Sequence, residues 1–140
     1  MTKNIVSTLV GLILLMAVAA PLQADSAINH KMKVVVPFAF SAGEQLMPAG
    51  EYTVEVNPEN GTVVLHPEGQ NPVVLITNAK ESMSSADRAK LVFQRYGENY
   101  FLAEVWSQDN SIGHTLRQSD REKELSRNDQ LEQTLAVQAR

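Results

Sequence analysis

The feature that most limits the fold of this chain is an aromatic-rich stretch, residues 91–106, which holds five of the eight aromatic residues. Two β-prone runs in it flank a single glycine, Gly97, and this arrangement predicts a β-hairpin. A three-residue loop over 97–99 would make one face of the hairpin almost wholly apolar. The opposing pairs would then be Tyr96 with Tyr100, Phe93 with Ala103, and Leu91 with Val105. A two-residue loop at Glu98-Asn99 would shift the register by one and mix the faces, so the three-residue loop is favoured.

The second face of the hairpin would carry three aromatic rings with polar tips, Tyr96, Tyr100 and Trp106. These are the candidate ligand- or partner-binding residues, because such rings can stack on a sugar or on a partner's side chain. The alternative is that the C-terminal helix or a second sheet covers them. The sequence favours this second interpretation, in which the rings are covered, because aromatic residues pack in cores more often than they bind ligands.

The N-terminus has the three regions of a secretory signal peptide: a charge at Lys3, an apolar run over residues 5–20, and small residues up to Ala24. Polar residues interrupt the apolar run, which falls short of the roughly 20 residues that a membrane span needs. The sequence therefore predicts cleavage after Ala24 rather than an uncleaved anchor. The mature protein is expected to be soluble, with no stable membrane span, and to lie in the periplasm or outside the cell.

Composition excludes several classes of function for what remains after cleavage. The chain has no cysteine, which excludes disulfides, thiol catalysis and lipid attachment through cysteine. Removing Lys3 with the signal peptide takes the formal net charge from −4 to −5, and basic residues are scattered along the sequence. No general attraction to nucleic acid or to anionic lipid is therefore expected.

Short β-prone runs separated by turn residues predict the rest of the fold. Outside the hairpin, these runs cover residues 32–40, 51–56, 62–66, 73–77 and 112–116. Pro37 predicts an edge strand or a bulge, because proline cannot donate to a ladder. The uninterrupted apolar run over 73–77 predicts a strand covered on both faces. Residues 78–89 show no period and are expected to form a loop of functional or mobile character.

Two local motifs make sharper predictions. Asn60-Gly61 predicts a two-residue hairpin turn, which would pair Val56 with Leu65 on the inside and Glu55 with His66 on the outside. Ser119 and Glu122 have the spacing of a capping box and predict a helix that starts near Asp120. The fold class is therefore mainly β, a single antiparallel sandwich or flattened barrel of six or seven strands. The expected division is a signal peptide over 1–24, a β-domain over 25–118 and a C-terminal helix over 119–140.

The chain resembles a known group of proteins through several short stretches. They are Val36-Pro37-Phe38-Ala39-Phe40, Pro48-Ala49-Gly50-Glu51-Tyr52, Thr77-Asn78-Ala79, Leu91-Val92-Phe93-Gln94-Arg95-Tyr96-Gly97 and Tyr100-Phe101-Leu102. This pattern is similar to that of small exported bacterial β-proteins that also carry a tryptophan after the hairpin and a charged C-terminal segment. The resemblance covers most of the mature chain. It implies export and a compact β-domain, and it brings no activity, ligand or catalytic residue.

No motif in the sequence indicates catalysis. Glu55 and His66 could form an acid–base pair or bind a metal, but a solvated cross-strand pair is the simpler interpretation. The histidines are too far apart in sequence for the usual metal-site spacing, and no nucleophile elbow surrounds Ser84 or Ser85. No catalytic residue, metal or cofactor is therefore predicted. The expected function is an exported, non-enzymatic interaction or structural module of the bacterial cell envelope, whose partner is an envelope protein or a glycan. The alternative is a carbohydrate- or small-ligand-binding module, and an enzyme comes third.

Overall fold

The structure is a computed structural model that describes residues 30–128 and 133–140. The predicted signal peptide and its cleavage site lie outside these residues. The described part is mainly β, with one short helix near the C-terminus. The strands are β1 (His30–Val36), β2 (Phe40–Ala42), β3 (Gln45–Met47), β4 (Gly50–Asn57), β5 (Thr62–Pro67), β6 (Val73–Glu81), β7 (Lys90–Tyr96), β8 (Asn99–Trp106), β9 (Ile112–Leu116) and β10 (Gln133–Gln138), and the helix is α1 (Asp120–Asn128).

The ten strands form one open sheet. Its main path runs β1-β4-β5-β6-β9-β8-β2-β3, while β7 pairs with β8 and β10 pairs with β7. The long strand β6 pairs with β5 through its first half and with β9 through its second. The pairing is antiparallel except for one parallel contact, Ser41 with Phe101, between β2 and β8. The predicted mainly β class is confirmed, but the predicted count of six or seven strands was too low, because the described residues form ten.

The core forms from the alternating inward residues of these strands. In β4 and β5 every second side chain is buried, as a half-covered strand requires. Three aromatic rings meet edge to face at its centre: the Phe40 ring lies 5.4 Å from Tyr52 and 5.1 Å from Phe93. This geometry suits the ring quadrupoles. The predicted strand over 32–40 is divided, because β1 ends at Val36, Pro37 lies outside the ladder, and β2 begins at Phe40. β1 lies at one end of the sheet path, as the edge-strand prediction required.

The aromatic-rich hairpin forms as predicted, but its register differs. Leu91 does lie opposite Val105, whereas Phe93 lies opposite Leu102 and Tyr96 opposite Asn99. The loop is therefore the two residues 97–98, and Gly97 takes the left-handed conformation, with a φ of 58°. A register shift between Val92 and Phe93 then restores the pairing predicted for the far end. The predicted pairs Tyr96–Tyr100 and Phe93–Ala103 were wrong because no local pattern marked this irregularity.

The β4–β5 hairpin also turns earlier than Asn60-Gly61 predicted. Val56 lies opposite Val63 and Glu55 opposite Val64, so the loop spans residues 58–61. The Asn57 side chain explains the difference, because its Oδ1 accepts hydrogen bonds from the backbone N–H of Glu59 at 3.2 Å and of Asn60 at 3.4 Å. An Asx turn of this kind starts the loop directly after Asn57, the last residue of β4.

Strand β6 departs from its prediction in length and in cover. It continues to Glu81, so the predicted loop over 78–89 shortens to residues 82–89. Leu75 is 7 % exposed, whereas Ile76 is 84 % exposed and Val74 is also exposed. The strand is thus covered on one face only, and the prediction that both faces are covered was wrong.

The C-terminal segment begins as predicted and then changes type. Ser119 Oγ accepts a hydrogen bond from the backbone N–H of Glu122 at 3.1 Å, which is the capping-box bond, and α1 follows from Asp120. Residues 133–138 form β10, in which Leu135 lies opposite Phe93. The predicted helix over 119–140 is therefore shorter, because Leu135 packs on the core from a strand. No helix among the described residues has the length and apolar character needed to cross a membrane.

Candidate functional site

The three rings predicted to bind a partner do not share one surface. Tyr96 and Trp106 lie on one face of the hairpin, while Tyr100, opposite Arg95, lies on the other. Tyr100 is half-buried and stacks on Phe38, with the ring centroids 4.0 Å apart and the planes 16° from parallel. The register therefore separates a group that the sequence had placed together.

Tyr96 is buried, and its ring lies 5.9 Å from that of Phe101. It is 4 % exposed, and its hydroxyl donates to Oε1 of Gln94 at 3.1 Å. Burial raises the pKa of Tyr96, the nearby Glu122 carboxylate adds to this rise, and a hydrogen bond with Gln118 opposes it. Burial likewise raises the pKa of Glu122. Tyr96 is thus buried, with Gln118 and Glu122 as its electrostatic neighbours.

Trp106 is held by its neighbours on β8 and β9. It is 6 % exposed, and its Nε1 donates to Oε2 of Glu104 at 2.8 Å. Glu104 also forms an ion pair with Lys80. Burial acts to raise the pKa of Glu104, but the hydrogen bonds from Lys80 and Trp106 outweigh it and lower that pKa. The indole lies across Gly113, so its position is fixed by packing. The binding role of the three rings stays a prediction.

One histidine, His114, is buried between strands of the sheet. His114 is buried, and its Nδ1 lies 3.0 Å from the Thr77 hydroxyl. That hydroxyl donates to the Gly61 carbonyl at 2.9 Å, so it accepts from His114, which places the ring proton on Nδ1. Burial lowers the pKa of His114, and the charge of His30 lowers it further. Among the described residues, no group of three or more His, Asp or Glu side chains is arranged to hold a metal.

The Glu55–His66 pair forms on the outer face, although through a different register. His66 lies opposite Thr53, and its Nε2 reaches Oε2 of Glu55 at 3.6 Å as a diagonal neighbour. The same carboxylate oxygen lies 3.5 Å from Lys31 Nζ. His66 remains substantially exposed, so the geometry is that of a solvated surface cluster rather than of an enclosed acid–base pair.

A site that the sequence did not predict lies beside β1. It is a cleft of about 980 Å³. One side is formed by residues 30–35 of β1, and the other by residues 87–89, 107–108 and 139–140. These segments are far apart in the chain, and the sheet topology brings them together. A single β-strand of this length gives the cleft an extent of about 20 Å.

The end of the described chain crosses this cleft at one point. The backbone N–H of Ala139 donates to the Ala89 carbonyl at 2.8 Å, and the N–H of Arg140 donates to the Lys33 carbonyl at 3.0 Å. Because Lys33 O points away from β4, the outer edge of β1 faces into the cleft. The edge of β1 that faces away from β4 thus accepts a hydrogen bond of the strand type at Lys33.

The cleft is locally basic in an acidic chain. Four Lys and Arg side chains line it, Lys31, Lys33, Arg88 and Arg140, against two carboxylates, Glu51 and Asp87. Lys33 Nζ lies 3.7 Å from Glu51, whereas Arg88 Nη1 donates to the neutral amide of Gln138 at 3.4 Å. The basic residues that were scattered in sequence are therefore partly gathered in space. The alternation of Lys31 and Lys33 with buried residues was the one local signal of this site.

No family model, no curated protein and no solved structure matches the chain. Its function is therefore inferred from the residues of the cleft and from the sequence patterns.

Proposed function

We propose that this chain is an exported, non-enzymatic interaction module of the bacterial cell envelope, in the periplasm or outside the cell. The single observation that carries the proposal is the cleft beside β1, where an open strand edge and basic side chains lie together. The N-terminal signal pattern and the resemblance to small exported β-proteins support export. The partner is an envelope component that enters the cleft.

The same proposal includes a finer description of the fold, a flattened barrel whose seam is the cleft. The strand order supports it, because β7 and β10 extend the sheet from β8 back toward β1. The hydrogen bond from Arg140 N to Lys33 O supports it as well, since it joins the β10 side to the outer edge of β1. In this description the residues that follow β10 are incompletely paired with β1, and the cleft between β1 and residues 87–89, 107–108 and 139–140 is the binding site.

The shape of the cleft favours an extended segment over a compact small molecule. A small-molecule pocket surrounds most of its ligand and is largely apolar. This cleft instead follows a strand over residues 30–35, and it is lined by both charged and apolar groups. A polymer segment matches that length and that mixture.

The test is photo-crosslinking in the native envelope, with the full chain expressed and exported by its own host. A benzophenone amino acid replaces Gln108, an exposed residue that lines the cleft. The matched control places the same group at Glu98, whose side chain is 94 % exposed at the hairpin loop. We expect a discrete adduct from position 108, none from position 98, and loss of the adduct when Arg88→Glu is added.

The identity of the adduct separates the alternatives. A protein adduct supports the interaction module, and a glycan adduct favours the carbohydrate-binding alternative. Equal adducts from both positions, or an adduct at 108 that survives Arg88→Glu, would overturn the assignment of the cleft. Circular dichroism and thermal unfolding of each variant confirm that the fold is retained.

A further inference from the structure

We propose that the cleft binds an extended acidic peptide, which adds as a strand to the outer edge of β1. This inference rests on the proposed function and names the chemistry of the partner. It is carried by three observations: the direction of the backbone groups of β1, the charge of the cleft, and the alternation of side chains along the strand.

The first observation is that β1 presents a row of backbone donors and acceptors to the cleft. Neighbouring residues in an antiparallel strand direct their N–H and C=O groups to opposite edges. Lys33 O points away from β4, because it accepts from Arg140 N. The same alternation places the backbone groups of Lys31 and Val35 on the outer edge. An extended peptide can form ladder bonds there if it replaces the single bond made by Arg140.

The second observation is charge complementarity. Four basic side chains line the cleft, whereas the whole chain has a formal net charge of −4. Lys31 is paired with Glu55 and Lys33 with Glu51, so the positive charge available to a ligand comes mainly from Arg88 and Arg140. Arg88 donates its hydrogen bond to the side-chain amide of Gln138. Because this amide is uncharged, it does not neutralise the guanidinium. Carboxylates on an incoming segment are therefore attracted to this seam, while a basic segment is repelled.

The third observation predicts the pattern of the peptide. Residues that lie opposite each other on paired strands point to the same face of the sheet. Lys31 and Lys33 are exposed on the outer face of β1, while Met32 between them is buried on the inner face. An added strand would thus present carboxylates beside the two lysines. Its alternate side chains would point inward, near Met32 and Ala89, where apolar groups fit.

The experiment measures fluorescence anisotropy of labelled synthetic peptides with the purified full chain. The first probe alternates glutamate and valine over six residues, the second replaces each glutamate by lysine, and the third is the glutamate peptide with alternate backbone nitrogens methylated. We expect the first probe alone to bind, with affinity that falls as salt is added. N-methylation removes the ladder donors without changing the charge, so it isolates strand addition.

Two charge-reversal variants locate the binding. Arg88→Glu combined with Arg140→Glu is expected to weaken binding of the glutamate peptide by about tenfold or more. The matched control, Arg127→Glu, reverses an exposed charge in the last turn of α1 and is expected to leave the affinity unchanged. Thermal unfolding checks that each variant is folded, and Lys31→Gln with Lys33→Gln provides a second, milder set that also weakens binding.

The outcomes distinguish this inference from the proposed function. Equal binding of the methylated peptide would overturn strand addition, and equal binding of the lysine peptide would overturn the acidic partner. Failure of all peptides, with the Gln108 crosslink retained, would overturn the inference and leave the interaction module standing. An anionic polysaccharide that competes fully, while the methylated peptide also binds, would replace the peptide by a glycan. Failure of both the peptides and the crosslink would overturn both proposals.

Discussion

At the scale of single residues, glycine at position 113 is required by the ring that lies across it. A Cβ added there would stand 2.7 Å from three carbons of the Trp106 indole, closer than packed carbon atoms approach. Trp106 cannot easily move, because its Nε1 is bonded to Glu104. Gly113 is thus the residue that lets β9 pair beneath the indole.

The prediction concerns Gly113→Ala. We expect a loss of about 1–3 kcal/mol in the free energy of unfolding, because the added methyl forces the indole or the strand to shift. Urea unfolding measures it. In a Trp106→Ala background the same substitution is expected to be nearly neutral, since the clashing ring is gone. An equal loss in both backgrounds would show that the backbone of Gly113, rather than the indole, sets the cost.

His114 gives a prediction for the pH dependence of stability. Its pKa in the folded protein is lowered from 6.5 by burial and by His30. At a pH between the folded pKa of His114 and 6.5, this histidine binds protons more readily in the unfolded chain than in the folded protein. Acidification in this range therefore favours unfolding. This contribution to stability is complete above 6.5, and it is lost as the pH falls through the lower folded pKa.

The variant His114→Asn isolates this contribution. Asparagine keeps a donor for the Thr77 hydroxyl but does not titrate. We expect the difference in unfolding free energy between the native chain and the variant to shrink as the pH is lowered from 7.5 to about 5. Urea unfolding at several pH values measures that difference. A pH-independent difference would contradict the role of His114. His66→Asn is the control, because His66 lies on the exposed outer face.

Residues of this kind are only partly predictable from sequence. The alternation in 51–56 correctly separated the buried Tyr52, Val54 and Val56 from the outward side chains. The need for glycine at position 113 depends on the ring of Trp106 in the neighbouring strand. The hydrogen bond between Thr77 and His114 likewise joins two paired strands. The sequence alone does not show which strands are neighbours. The same holds for the separation of Tyr96 from Tyr100, which follows from the hairpin register.

At the scale of secondary-structure elements, β6 shows how an apolar run can have one covered face. Its first half pairs with β5, and side chains at alternate positions point to opposite sides of the sheet. Leu75 packs in the core, while Val74 and Ile76 remain exposed. The apolar pattern could not distinguish this arrangement from a fully buried strand.

Neighbouring alanine substitutions test the face assignment. Leu75→Ala is expected to cost about 2–5 kcal/mol in unfolding free energy, because it leaves a cavity in the core. Ile76→Ala is expected to change it by no more than about 0.5 kcal/mol, because the native side chain is largely in water. Chemical denaturation of both variants measures the contrast. Similar losses at the two positions would mean that another surface covers Ile76.

Element positions were more predictable than element pairing. The strands over 51–56, 62–66 and 112–116 lie within one residue of their predicted bounds. Register failed where a single interaction moved a turn, as with the Asn57 side chain, or where the β7–β8 ladder shifts beside Val92. The helix prediction extended over 133–138 because it rested on the capping box at Ser119, and no local pattern marked the change from helix to strand.

At the scale of the whole molecule, β10 joins the two sides of the cleft. It pairs with β7 along six residues and then reaches β1 through Arg140. Sheet order of this kind rests on contacts between residues far apart in sequence, so the cleft could not be predicted from local patterns. The fold class could be predicted, because alternating apolar residues and turn residues can be identified within short stretches of sequence.

Two proline substitutions test whether the pairing of β10 with β7 stabilises the fold. The Ala139 N–H points to β7, so the alternation of an antiparallel pair places the Val137 N–H toward β7 and the Ala136 N–H away from it. Val137→Pro therefore removes a ladder donor and leaves a carbonyl of β7 without its partner. A loss of about 1–3 kcal/mol in unfolding free energy is expected, together with faster amide exchange in β7.

Ala136→Pro is the matched control, because it introduces the same ring where the N–H faces away from the ladder. We expect a smaller loss of stability and little change in amide exchange along β7. Detachment of β10 in Val137→Pro would also expose the edge of β7, and unpaired edges promote association between chains. Size-exclusion chromatography at several concentrations would then show association for Val137→Pro alone. Identical behaviour of the two proline variants would contradict the pairing of β10 with β7, and with it the placement of residues 139–140 at the cleft.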